Sequence, residues 1–435
     1  MFAGVSLCLL ASSRTTLFWG KRVILTAMCV EEPLKAKLLL RGFGILAAGL
    51  TIAGVTPAAH ADPIYPAPDP DPFYAQPGDI ADHDPGDILA VRPMPPLLMF
   101  PETTVTMVKF RSTNSEGGPI AAVTTVLTPR EHQPDGPLLS YQHIINGLGA
   151  ECAVSRVLYT NDPNLQVREA VALNVALRRG WSVALPDHLG PNFSYGAARL
   201  GGMITLDGIR AVKRLPELAV ANSRVAMAGY SGGGMATAWA AALQPSYAPE
   251  LDIAGAATGG VPMNMVSMVS ALGWQPHPAF GLAMAAAIGL EREYPDRLPI
   301  SSQMNPVGLA ARNAMANGCT NEIMAIGAGH SAREFAASTS MIDDPTVLSV
   351  LQENSLELYD GVPNMPIFEW HSSSDPLIPV DAIVNTDRRY CAAGVRLEMD
   401  MNPSPEHLSA AVLGMPSALA WVDARLRGEP APSNC

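Results

Sequence analysis

Beyond residue 96 the chain alternates short, nearly continuous apolar runs with longer helix-like segments. The strand candidates are Thr103–Phe110, Ile120–Leu127, Pro137–Gln142, Trp181–Leu185, Arg224–Ala228, Leu251–Ala256, Met365–Trp370 and Val395–Met401. The later runs carry almost no polar alternation, as strands buried on both faces do. Helix candidates lie between them at Asn164–Arg179, Thr205–Leu215, Gly233–Leu243 and Leu408–Arg427. Strand–helix alternation of this kind predicts an α/β fold, with a mostly parallel sheet covered by helices on both faces. The rhythm breaks once. From residue 258 to residue 355 no strand pattern is visible, while Ala- and Met-rich stretches such as Phe280–Leu290 recur. This predicts a helical domain inserted between two sheet strands, splitting the α/β core into residues 97–257 and 356–435. Ahead of the core, residues 62–96 hold ten prolines and seven aspartates. Such a composition propagates neither a helix nor a central strand and predicts an extended arm.

The first sixty-one residues have a different pattern. Lys35, Lys37 and Arg41 precede an apolar run from Phe43 to Val55, followed by Ala59-His60-Ala61. A basic segment, a short apolar core and an A-x-A site predict a secretory signal peptide cleaved after Ala61. The signal is complete from Met28 onward, which makes Met28 the expected start of translation. The apolar run is too short to span a bilayer comfortably. An exported protein, free or associated with the cell envelope, is therefore expected.

Removing the leader changes the arithmetic. The full chain has 435 residues, 48% of them apolar, and a formal charge of −12. Without Arg14, Lys21, Arg22, Lys35, Lys37, Arg41, Glu31 and Glu32 the charge becomes −16. An acidic chain lacks the basic footprint of a nucleic-acid binder. Cys8 and Cys29 leave with the leader, so Cys152, Cys319, Cys391 and Cys435 remain. An even set in an oxidising compartment predicts two bridges, with three pairings open. None of the four shows zinc-type spacing, and no dinucleotide or P-loop motif is present, so neither metal nor cofactor is expected.

The most informative motif is Gly229-Tyr230-Ser231-Gly232-Gly233, between the strand ending at Ala228 and the helical run that follows. A G-x-S-x-G on a strand-to-helix turn holds a serine hydroxyl exposed on a sharp bend. The amide of Gly232, at the start of the helix, would face a developing oxyanion. A serine hydroxyl needs a general base and an acid that orients it, in the chain order Ser, Asp, His on this fold. Asp375 follows the strand ending at Trp370, and His407 follows the last strand, directly before the final helix. Asp381 is the rival for the acid; His371 and His330 lie before the acid in the chain. The second oxyanion donor is expected in the early loop His143–Gly149, around Asn146 and Gly147.

With these residues in place, the sequence resembles the secretory lipase family of fungi and actinobacteria, a branch of the α/β-hydrolases. The resemblance rests on Asp187-His188-Leu189-Gly190-Pro191-Asn192, Leu206-Asp207-Gly208-Ile209-Arg210-Ala211, the Tyr230–Gly234 elbow, the Ser373–Pro379 loop and the tail from His407 to Cys435. It implies an α/β-hydrolase fold with a helical cap and a catalytic Ser231, Asp375 and His407. It also implies the pairings Cys152–Cys319 and Cys391–Cys435. The expected activity is hydrolysis of lipid or other carboxylic esters, with contact at a lipid–water interface. Two departures stand out. Gly232 replaces a common glutamine, and no aspartate occurs between Gln142 and Ala150, where the family usually carries one near Asn146. Acyl transfer or peptidase chemistry on the same triad is the alternative reaction. A catalytically silent, lipid-binding hydrolase fold is the alternative class. The natural ester and the oligomeric state are left open.

Overall fold

All eight strand candidates form, within a few residues of the expected ends, and a ninth joins them. In the computed structural model, which describes residues 61–144, 147–162 and 169–435, the strands are β1 (Ile88–Met94), β2 (Thr103–Thr113), β3 (Pro119–Pro129), β4 (Leu138–Gln142), β5 (Ser182–Pro186), β6 (Val225–Tyr230), β7 (Ile253–Gly259), β8 (Ile367–Ser372) and β9 (Leu397–Asn402). They make one sheet in the order β1-β2-β3-β5-β4-β6-β7-β8-β9. Pairing is antiparallel from β1 to β5 and parallel from there to β9. β4, β5 and β6 are buried along their whole length, which explains their unbroken apolar sequence. The leader up to His60, with Met28, lies outside the described residues.

The helices of eight residues or more are α1 (Ala170–Arg178), α2 (Ala198–Arg214), α3 (Gly232–Tyr247), α4 (Met265–Leu272), α5 (Phe280–Glu293), α6 (Pro306–Met315), α7 (Thr320–Gly327), α8 (Pro345–Glu353), α9 (Val380–Ala392) and α10 (His407–Leu426). Five of them, α4 to α8, fill the interval between β7 and β8, so the break in strand rhythm is a helical insertion. α2 starts seven residues before its expected position. The added turns contain Gly201 and Gly202, which are where α2 meets α3. A Cβ at Gly202 would lie 2.9 Å from the backbone of Trp239 and Ala240. Close helix approach outweighs the roughly 1 kcal/mol propensity cost of each glycine.

The proline-rich stretch is more ordered than an arm alone. Its last part is β1, an edge strand, where Pro93 removes no bond that the sheet interior needs. Upstream, the chain wraps the body. Phe73 is buried against Met107 and Val123. Asp71 accepts from Arg92 through both carboxylate oxygens, at 2.5 and 2.9 Å. Arg312 donates to the Asp62 carbonyl, and the Ala67 amide to Asn317. Cys152 is bridged to Cys319, tying the early loop to the insertion, and Cys391 to Cys435, tying the tail to α9.

Candidate active site

β6 ends at Tyr230 and α3 begins at Gly232, leaving one residue for the turn. That residue, Ser231, has φ = +55° and ψ = −121°, a conformation that costs a non-glycine residue of order 1–3 kcal/mol. The surroundings hold it there. The Ser231 amide donates to the Gly259 carbonyl at 2.7 Å, and the Ser231 carbonyl accepts from the Met235 amide at 2.8 Å. A Cβ at Gly229 would lie 2.5 Å from the Gly233 backbone, and one at Gly233 only 2.0 Å from the Gln142 carbonyl oxygen. Both outer glycines of the motif are therefore steric requirements of the bend. Gly232 is the first residue of α3, where an amide has no acceptor within its own helix.

Asp375 lies in the loop after β8 with its carboxylate fully buried. Its Oδ2 accepts from His407 Nδ1 at 2.7 Å, and its Oδ1 accepts from the amides of Leu377 at 2.8 Å and Ile378 at 3.0 Å. Burial works to raise its pKa, but the His407 bond and charge together with the two amides outweigh it, so the net direction is down. His407 is the first residue of α10, whose N-terminus Glu406 caps by accepting from the Leu408 and Ser409 amides. The imidazole is buried, and its Nε2 has no hydrogen-bond partner among the described residues. His371 Nε2 stands 3.6 Å from the same Asp375 oxygen, but burial drives its pKa down to about 4, so it is neutral at pH 7. His330 pairs instead with Glu334 in the insertion, and Asp381 is exposed on the first turn of α9.

Ser231, Gly232 and His407 line one cavity of about 700 Å³, roofed by the insertion. Its wall is apolar. Six of the insertion's eight methionines contribute to it, namely Met265, Met268, Met284, Met304, Met324 and Met341. Ile144, from the early loop, also reaches the cavity. Gly147 does not. It pairs with Cys319 of the insertion, and a Cβ there would lie 2.4 Å from the Gly318 carbonyl oxygen. Its smallness serves the junction between core and insertion. Asn146 lies outside the described residues. Among the described residues no group of three or more His, Cys, Asp or Glu side chains is arranged to hold a metal ion.

Three supporting residues carried no sequence signal for the contacts they make. Tyr230, fully buried, donates from its hydroxyl to the His407 carbonyl at 2.6 Å, and its ring lies 5.0 Å from the imidazole. Glu169, also fully buried, accepts from the Ile144 amide at 2.8 Å and pairs with His143. The His188 ring contacts the His143 carbonyl at 2.7 Å. Two motif aspartates have structural work. Asp187 accepts from the Ser155 amide and hydroxyl, and burial lifts its pKa to about 6. Asp207 is held by Arg210, Ser112 and Tyr247.

Behind β8 sits a buried acid pair. Glu369 accepts from the Thr258 hydroxyl, while Glu369 Oε1 and Asp387 Oδ2 have no hydrogen-bond partner among the described residues. Desolvation raises both groups, Glu369 further through the charge of Asp387, and Asp387 reaches about 8. A folded-state pKa above the unfolded value of about 4 means that the native state holds more protons in this window. The stability this pair confers is complete below about pH 4 and is lost as pH rises toward 8. The melting temperature is expected to fall between pH 5 and pH 8, and Asp387→Asn to flatten that fall. Parallel melting profiles for the two proteins would contradict this.

Comparison with known proteins agrees with this architecture. Residues 163–434 match the family model described as secretory lipase. Lipase 6 of Candida albicans is 31% identical over 389 residues, covering 85% of this chain and 83% of that protein. Lipase A of Moesziomyces aphidis is 28% identical, covering 82% and 80%. Among solved structures, Candida antarctica lipase A in its closed state superposes with a TM-score of 0.78 at 27% identity, over 84% of this chain and 89% of that one. The rice cell wall degrading esterase LipA from Xanthomonas oryzae, at 16% identity and a TM-score of 0.63, shares the fold. Family model, relatives and sheet topology converge: the chain belongs to the secretory lipase family and has the α/β-hydrolase fold.

Proposed function

We propose that this protein is an exported serine hydrolase that cleaves carboxylic esters with apolar acyl chains, using Ser231, His407 and Asp375. The observation that carries the reading is the 2.7 Å contact between His407 Nδ1 and buried Asp375, with the strained Ser231 and His407 opening on the same cavity. Ser231 Oγ attacks the acyl carbon while His407 Nε2 takes its proton, and Asp375 stabilises the imidazolium. The Gly232 amide and a backbone donor in the early loop near Asn146 receive the oxyanion. His407 then protonates the leaving alcohol, and water, deprotonated by the same imidazole, releases the acid from the acyl-enzyme. The relatives named as lipases support the reaction class, and the two disulfides support export. An apolar cavity of about 700 Å³, walled by flexible thioethers, suits medium or long acyl chains.

A fluorophosphonate probe should label the protein at Ser231, and Ser231→Ala should abolish both the label and ester hydrolysis. Labelling that persists in Ser231→Ala would reject the assignment. In a series of p-nitrophenyl esters, strong turnover of short chains with none of long ones would reject the acyl-chain reading.

A further inference from the structure

A buried polar cluster holds the early loop where it leaves β4, and the triad makes no use of it. The loop has no acidic residue of its own between Gln142 and Ala150. A carboxylate reaches it instead from Glu169, the residue before α1, which has no exposed surface. Its Oε1 accepts from the Ile144 amide at 2.8 Å, and its Oε2 pairs with His143 Nδ1. The His188 ring donates from Nε2 to the His143 carbonyl at 2.7 Å, and burial, by lowering its pKa, keeps that ring neutral. Gln142, one residue earlier, accepts from the Thr237 hydroxyl of α3 at 2.7 Å. The same stretch lies against the elbow. A Cβ at Gly233 would stand 2.0 Å from the Gln142 carbonyl oxygen and 2.7 Å from that of His143.

Such a cluster is costly. A carboxylate and an imidazole must both leave water, and apolar residues of the same volume often serve stability as well or better. No lysine or arginine among the described residues pairs with Glu169. Polar groups kept against that cost fix positions, and their location shows which position is fixed. His143 is absent from the wall of the cavity that holds Ser231. It lines, with His188 and Asp187, a separate cavity of about 20 Å³, and Ile144 alone of the pair His143 and Ile144 reaches the larger one. The cluster therefore acts on the loop and not on the ester. The other end of the loop has its own fixings, since the Leu148 amide donates to Gly318 at 3.0 Å and the Leu148 carbonyl accepts from Arg292 at 2.8 Å. The backbone donor assigned near Asn146 falls in sequence between these two mounts. A preorganised donor tolerates little error, because a misplacement of about 1 Å can cost about 10²-fold in rate.

We infer that Glu169 is a positioning residue for ester hydrolysis: through His143 and the Ile144 amide it fixes the early loop against the start of α3, so that the loop's backbone donor meets the oxyanion. The role rests on the serine-hydrolase reading, and the test separates the two. It uses the full-length exported protein with Glu169→Gln, which removes the charge, and His143→Gln, which leaves the carboxylate and its Ile144 bond in place. Active sites are counted by exhaustive fluorophosphonate titration, so that unfolded protein does not enter kcat. For a dissolved p-nitrophenyl ester, kcat per titrated serine should fall about 10- to 100-fold in Glu169→Gln and less in His143→Gln, with KM within about threefold of native. The second readout is 1,1,1-trifluorododecan-2-one. Ser231 Oγ bonds to its carbonyl carbon, the hydroxyl proton passes to His407, and the carbonyl oxygen becomes an oxyanion. Its inhibition constant should rise by the factor by which kcat/KM falls. Inhibition by 1-decanol, which can enter the cavity but forms no oxyanion, should be the same in all forms. A merely structural role gives fewer titratable sites with native kcat at each, or no titratable protein in either variant, and both results overturn the inference. So does equal weakening of the ketone and the alcohol. If Glu169→Gln alone yields no titratable protein, His143→Gln decides: a matched loss in kcat and ketone affinity supports the role, and native values overturn it. Active native protein with unaffected variants overturns the positioning role alone, whereas native protein that is neither labelled nor active overturns the hydrolase reading and this role with it.

Discussion

Replacing Asp375 with asparagine is expected to lower kcat/KM for ester hydrolysis at pH 7 by about 10⁴-fold, the loss found when a triad acid is made neutral. The reason lies in what holds each carboxylate oxygen. Oδ1 accepts from the amides of Leu377 and Ile378, so an asparagine must put its carbonyl oxygen there. Its NH₂ group then occupies the position of Oδ2 and points at His407 Nδ1. A donor facing Nδ1 forces the ring proton onto Nε2, the nitrogen that the proposed mechanism needs free to take the Ser231 proton. Tyr230 and the capped start of α10 keep the ring in place, so the tautomer is wrong while the geometry persists. Fluorophosphonate labelling should slow in proportion, since it also requires a deprotonated serine. The melting temperature should change much less than the rate. A loss of under tenfold would show that Asp375 does not govern the base.

The elbow and the order of serine, acid and base were legible in the sequence because each is a local pattern. A strand, two glycines around a serine and a helix sit within about twenty residues, and the two partners each follow a recognisable late strand. The supporting residues were not legible, because their roles arise from distant packing. Glu169 supports Ile144 from 25 residues away, and the Tyr230 hydroxyl bonds a carbonyl 177 residues on. Gly147 shows the converse. Its place in a Gly-rich early loop suggested an oxyanion donor, whereas its backbone meets Cys319 across the disulfide-linked junction. Gly201 and Gly202 lie in the part of α2 that precedes its expected start, and a glycine that ends a helix and one that admits a neighbouring helix look alike in one dimension. The methionine excess became interpretable only when six of them proved to share one cavity wall.

The second large effect is expected at a residue that no motif singles out. Arg292, on α5, is only 2% exposed, and its guanidinium donates to backbone carbonyls. Nε donates to Ile64 at 2.8 Å, Nη1 to Leu148, Asn192 and Phe193 at 2.8, 3.0 and 3.2 Å, and Nη2 to Ala316 at 2.8 Å. These carbonyls come from the N-terminal arm, the early loop, the segment after β5 and the insertion. One planar fork of donors thus joins four parts of the chain, a geometry that the single nitrogen of lysine cannot reproduce. Burial pushes its pKa down to about 10, which still leaves it charged at pH 7. Arg292→Met would strand several buried acceptors, each costing about 1–3 kcal/mol where water cannot reach it. We expect a loss of at least about 4 kcal/mol of unfolding free energy in urea, beyond the usual range for a point substitution. Arg292→Lys should recover only part of it. Because Ile64 is one of the acceptors, the arm should also become sensitive to proteolysis before the core unfolds. A loss below about 1 kcal/mol for Arg292→Met, the net worth of one ordinary hydrogen bond, would mean that water replaces the guanidinium. The junction of arm, core and insertion would then be held by the Cys152–Cys319 bridge, apolar packing and the bonds of Arg312 to Asp62 and Ala67 to Asn317.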